Sequence, residues 1–118
     1  MSRAVSRENV ITYHERTGLG LEDAREALAM MKPELRGRVL LAARSRRHGD
    51  GLLRDPVEDH PQTRQLVRKA ASDADSTVTD QGLGRCHSVW REQARILWKR
   101  HKIRWYSPAE MNPSVCFD

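Results

Sequence analysis

Residues 84–113 read GRCHSVWREQARILWKRHKIRWYSPAEMNP, and the spacing of this stretch decides the fold class. At 100° per residue Cys86, Val89, Trp90, Gln93, Ala94, Ile96, Leu97 and His101 share one broad helical face, with Trp98 at its margin. That spacing predicts a helix over residues 84–102 whose apolar face packs across the other helices through Trp90 and Leu97. On the other side Arg91, Arg95, Lys99 and Lys102 follow one another at helical spacing and line up as a positive stripe beside Trp98. Beyond His101 the pattern changes to Ile103-Arg104-Trp105-Tyr106, whose alternation suggests a short extended segment. Ser107-Pro108-Ala109-Glu110 then reads as a capping box with proline at the first helical position, and Asn112-Pro113 stops the turn. Val115 and Phe117 alternate with Ser114 and Cys116, so the tail is expected to lie back over the core.

Working outward to the N-terminal side, Ser6 can cap a helix over residues 7–16, and Thr17-Gly18 supplies its stop. Residues 21–31 carry Glu22 and Asp23 at the positive end of the helix dipole and an apolar stripe of Leu21, Ala24, Leu28 and Met31. Lys32-Pro33 breaks that helix, and Pro33 with Glu34 starts a third, with Leu35, Val39, Ala42 and Ala43 in register as far as Arg47. The stretch HGDGLLRDPVEDHP, residues 48–61, reads as a connector. A fourth helix is expected from Pro61 to about Asp75 on a narrow face of Leu66, Val67, Ala70, Ala71 and Ala74, with a polar loop over residues 76–84. The expected architecture is all-α: a compact single domain, residues 1–118, of four main helices with a short C-terminal capped turn. It comprises a three-helix segment (6–47), the connector (48–61) and a helical C-terminal segment (62–118).

Within that first segment, Arg16, Thr17, Gly18, Gly20, Asp23, Ala27 and Leu28 carry a resemblance. They resemble the helix-turn-helix opening of the ubiquitin-associated-like module of bacterial elongation factor Ts. The resemblance covers residues 10–45 and implies a three-helix bundle that contacts a protein partner. Lys32-Pro33-Glu34-Leu35 replaces the family's Gly-containing turn, and nothing after Ser45 resembles the factor. Local architecture is what the resemblance implies, not nucleotide-exchange activity.

A chain of 118 residues can bury one modest core, and with 38% hydrophobic and 31% charged residues much of each helix must face water. No apolar run approaches the roughly 18 residues that span a bilayer, and MSRAVSREN lacks the apolar core of a secretory signal, so a cytoplasmic location is expected. The net charge of +5 is unevenly placed: residues 85–105 hold seven Lys or Arg against the single acid Glu92. Such asymmetry suits an anionic partner for that segment. Arginine outnumbers lysine 17 to 4, a skew that genome composition produces without selection for binding.

Catalytic and ligand signatures are weak. Cys86, His87, His101 and Cys116 have zinc-binding chemistry but lack the closely spaced pairs of strong sites, and free thiols are expected. His48, Asp50, Asp55, Glu58, Asp59 and His60 match no calcium-loop spacing, and turn and cap chemistry accounts for them. Ser88 or Cys86 beside His87 are sequence neighbours that point about 100° apart on a helix, so no nucleophile and base are paired. The expected function is therefore non-catalytic, with no cofactor and no metal: a protein-binding adaptor or inhibitor acting through a helical surface. The alternative is a nucleic-acid-binding protein using the basic face of the 85–102 helix, and in either case Arg91, Arg95, Trp98, Lys99 and Lys102 are the candidate contacts. A protein partner is expected first, nucleic acid second, and a membrane not at all.

Overall fold

The Ser6 hydroxyl accepts the Asn9 N–H at 3.2 Å and so opens α1 (Arg7–Thr17) by satisfying one of the donors a helix start leaves free. In this computed structural model, which describes residues 5–45 and 51–117, α1 ends at Gly18. Gly18 takes φ 81°, a left-handed conformation that costs glycine little, and its N–H returns to the His14 carbonyl. Thr17 Oγ1 donates to the Tyr13 carbonyl, and His14 Nδ1 is hydrogen-bonded to the Leu19 carbonyl. After that turn come α2 (Leu21–Met30) and α3 (Pro33–Arg44), with Pro33 at the first helical position where its missing N–H goes unnoticed. Arg46 and Arg47, which the expected third helix includes, lie outside the described residues, as do His48 and Asp50 of the connector.

Residues group into two compact units, Met1–Leu53 and Arg54–Asp118. In the first, α1 packs on both α2 and α3, and Val10, Tyr13, Ala24, Leu28, Met31, Val39 and Leu40 are buried. Each large apolar side chain so removed from water contributes about 1.5–3 kcal/mol. Burial also pushes the Tyr13 phenol up. Arg36 joins α3 to the end of α2: its Nε donates to the Leu28 carbonyl at 2.8 Å and its Nη2 to the Met31 carbonyl at 3.1 Å. These are carbonyls that the last helical turn cannot satisfy by itself.

The second unit contains a 3₁₀ turn at Pro56–Glu58, α4 (Arg64–Thr77), α5 (Arg85–His101) and α6 (Pro108–Met111). Its core is Val67, Ala70, Ala74, Ile96, Leu97 and Trp105, with Val57, Leu66, Val89, Trp90, Ala94 and Ile103 packed around it. Ala70 and Ala74 let α5 approach α4 closely enough for the Gln93 amide, itself buried, to donate to the Val67 carbonyl at 3.3 Å. The capping box of α6 is complete: Ser107 Oγ accepts the Glu110 N–H at 3.2 Å, and Glu110 Oε1 accepts the Ser107 N–H at 3.0 Å.

All described elements are helical, with five helices of ten residues or more: the five stretches expected from periodicity each form a separate rod, so the count of four main helices is one short, and Lys32-Pro33 divides α2 from α3 as expected. The central face of α5 is displaced from the expected one. Gln93, Ile96 and Leu97 are its buried residues, Trp90 is only half-buried, and His101 is exposed. Trp90 instead meets the tail, its indole edge-on to Phe117 at 5.2 Å and to His87 at 5.5 Å, while His87 Nε2 lies 3.0 Å from the Phe117 carbonyl. No helix of the described residues is long and apolar enough to cross a membrane.

Candidate functional site

The five side chains singled out in the sequence all lie exposed along α5 and its cap, but the structure divides them by their partners. Arg95 grips Glu92 with two bonds, Nε to Oε1 at 2.7 Å and Nη2 to Oε2 at 2.6 Å, and this holds the Glu92 carboxyl below the usual carboxylate range. A bidentate pair of this kind occupies the whole carboxylate-matching edge of the guanidinium. Arg91 and Arg95 line an open hollow together with Val78, Ser88, Asp80 and Glu92, so two acids stand beside two bases there. The Ser88 hydroxyl donates to Asp80 in that hollow. Elsewhere on the helix Arg100 is bound to Asp73 at 3.0 Å and Arg85 to Asp75 at 2.8 Å. At least three of the seven cations counted in residues 85–105 are thus matched by carboxylates inside the protein.

The C-terminal end of the stripe differs. Trp98 is 46% exposed, the one large apolar side chain that α5 leaves in water. Lys102 Nζ stands 5.3 Å from its ring centroid and the Arg104 guanidinium carbon 5.1 Å. Both lie within the reach of a cation–π attraction, worth about 0.5–1 kcal/mol at an exposed site. Lys99 is exposed one residue further along, and among the described residues neither it nor Lys102 has an ion-pair partner.

The backbone at Lys102 makes this cluster. It ends α5 at φ 55°, the only described non-glycine residue with positive φ. Its N–H returns to the Leu97 and Trp98 carbonyls, and the Ile103 N–H reaches the Leu97 carbonyl at 3.1 Å. The left-handed residue reverses the chain, which carries Arg104 back beside the helix it has just left. Arg104 is the site residue that the sequence reading lacks. Six positions after Trp98 it has no helical neighbour relation to that residue, and only the cap brings the two together.

Other candidates resolve differently. His87, half-buried, is engaged by the Phe117 carbonyl, and neither Cys86, half-buried, nor Cys116, exposed, is in a disulfide. Among the described residues no group of three or more His, Cys, Asp or Glu side chains is arranged to hold a metal ion. Asp55 and Glu58 serve as hydrogen-bond acceptors within the second unit: Asp55 Oδ1 takes the Val57 N–H at 3.1 Å and Oδ2 the Tyr106 N–H at 2.8 Å, and Glu58 takes the Trp105 indole N–H.

No family model, no curated protein and no solved structure matches the chain.

Proposed function

We propose that this protein is a non-catalytic binding protein that engages nucleic acid through the basic face of α5 and the residues that follow its C-terminal cap. The observation that carries this reading is the exposed Trp98 indole with Lys102 and Arg104 at 5.3 and 5.1 Å and Lys99 alongside. Lys99 and Lys102, both exposed and without an ion-pair partner among the described residues, repel one another, and an external polyanion relieves that repulsion while releasing its own counterions. The non-catalytic part is supported by the separation of the polar groups: Ser88 is committed to Asp80 and His87 to the Phe117 carbonyl, so neither activates the other. Its test is a titration of labelled oligonucleotides across salt concentrations. Binding should weaken with a log–log slope of about −0.7 to −0.9 per phosphate contact, or about −3 for Arg91, Lys99, Lys102 and Arg104 acting together. Replacing those four by Gln should abolish the slope and leave the circular dichroism unchanged. Absence of binding at about 50 mM salt, where phosphate contacts are strongest, overturns the reading.

A second reading, a protein-binding adaptor or inhibitor, is favoured by the first unit. There Leu21, Met30 and Leu41 are 50%, 87% and 54% exposed, large apolar side chains of the kind that protein interfaces cover. The resemblance of residues 10–45 to a protein-contacting module supports it as well. Affinity capture with and without nuclease separates the two: a protein retained after nuclease treatment and lost on Met30→Asp substitution belongs to the second reading.

A further inference from the structure

Resting on the nucleic-acid reading, we infer that the Trp98 cluster is a single-nucleotide platform for unpaired strands: one exposed base stacks on the indole while Lys102, Arg104 and Lys99 hold the flanking phosphates. Three features support single strands over duplex and over an acidic protein. The first is that an aromatic face and phosphate-binding cations sit within 5.1–5.3 Å of each other, the combination through which proteins bind single strands irrespective of sequence. In a duplex the base faces are already stacked on one another, so the indole would have nothing to cover and only the cations would be used. The second feature is composition. Trp98 is the only large apolar side chain exposed on α5, whereas the centre of a protein interface is apolar and poor in lysine. The third is backbone geometry. Lys102 holds a left-handed conformation that an L-residue with a long side chain adopts at a cost, and that conformation brings Arg104 to the ring.

Placing the cations over the indole also settles how the site works. Lys102 and Arg104 stand over the ring at 5.3 and 5.1 Å. When a strand arrives Lys102 can exchange its weak contact with the ring for a charge-assisted hydrogen bond to phosphate, and this uncovers the indole for the base. Arg91 and Arg95, next to Asp80 and Glu92, contribute little to this platform.

The experiment compares a single-stranded oligothymidylate with a duplex of the same length, using the full chain and its Trp98→Ala and Trp98→Phe variants. Trp98→Ala should weaken single-strand binding about 5- to 150-fold, the range for loss of one stacked base, and leave duplex binding within about twofold. Trp98→Phe should recover most of the loss. Independently of any variant, ultraviolet crosslinking of a 5-iodouracil strand to the wild-type protein should label the peptide that contains Trp98. Unchanged single-strand affinity in Trp98→Ala, with the crosslink elsewhere, overturns the platform and leaves the phosphate-binding reading standing. Equal affinity for polyglutamate of matched charge overturns it in favour of an acidic protein surface. Absence of binding to every polyanion at about 50 mM salt overturns both proposals.

Discussion

The Trp105 indole N–H donates to Glu58 Oε2 at 2.8 Å, which ties the segment after α5 to the 3₁₀ turn that precedes α4. Trp105 is buried, so its polar atom needs a partner, and Glu58 supplies it across 47 positions of sequence. Glu58→Ala should leave the indole N–H unsatisfied and lower the stability of the second unit by about 1–3 kcal/mol, read from chemical denaturation.

The same pair makes stability depend on pH. Burial pushes the Glu58 carboxyl above the usual carboxylate range, with Asp55 and Asp59 adding to the effect and the Trp105 bond and Arg54 opposing it. The folded protein therefore holds this proton more tightly than the unfolded chain does. The stability so contributed is fully present below the unfolded pKa, about 4.3, and is lost as pH rises through the higher folded value. Glu58→Gln keeps an acceptor for the indole but cannot titrate. Its stability relative to wild type should therefore rise as pH climbs out of the carboxylate range, and a pH-independent difference between the two would contradict the assignment.

Asp55, at 0% exposure, joins the same two segments by accepting the Val57 and Tyr106 backbone N–H groups. Asp55→Ala should strand both donors and cost about 2–5 kcal/mol, more than any exposed substitution in the unit. Hydrogen exchange at Val57 and Tyr106 should accelerate in step.

Lys102 sets stability against binding. Lys102→Gly removes the left-handed penalty and should raise stability by about 1 kcal/mol in thermal melts. Oligonucleotide titrations on the same variant should show a salt slope shallower by about one contact. A variant that gains stability and binds as wild type would remove Lys102 from the site.

At the other end of the unit, Ser107→Ala breaks one half of the α6 capping box and should cost about 0.5–2 kcal/mol. Leu97→Ala, at a position with 0% exposure, should cost about 2–5 kcal/mol in the same assay. Trp90→Ala should fall below a fully buried tryptophan's roughly 3–5 kcal/mol, because the ring lies at the edge of the core, against His87 and Phe117, and is only half-buried.

Much of the helical layout is legible in local chemistry. Ser6, Gly18, Pro33 and the Ser107–Glu110 pair act within three or four residues of themselves, so their positions alone place helix starts and stops. Helical periodicity likewise puts Leu97 and Ala74 inward. It misjudges Trp90 and His101, because a period reports which residues share a face, while the partner's shape decides how deep each one goes. With Ala70 and Ala74 opposite it, α5 turns so that Gln93, Ile96 and Leu97 are the residues that go under.

The candidate site shows the same division. Charge type, helical spacing and the presence of a tryptophan are properties of the chain, and they were enough to mark Arg91, Arg95, Trp98, Lys99 and Lys102. Which of those charges remain available depends on carboxylates: Glu92, one turn away on α5 itself, takes Arg95, and Asp80 comes into the hollow beside Arg91 from the segment after α4. Arg104 reaches Trp98 only because Lys102 reverses the backbone, and Glu58 reaches Trp105 only because α4 and α5 pack as a pair. The sequence by itself determined the helices and the sign of the charge on α5, since both follow from interactions between near neighbours. The tertiary structure alone decided how deep each side chain is buried and which distant groups meet, such as Arg100 with Asp73 and Trp105 with Glu58, since those depend on groups far apart along the chain.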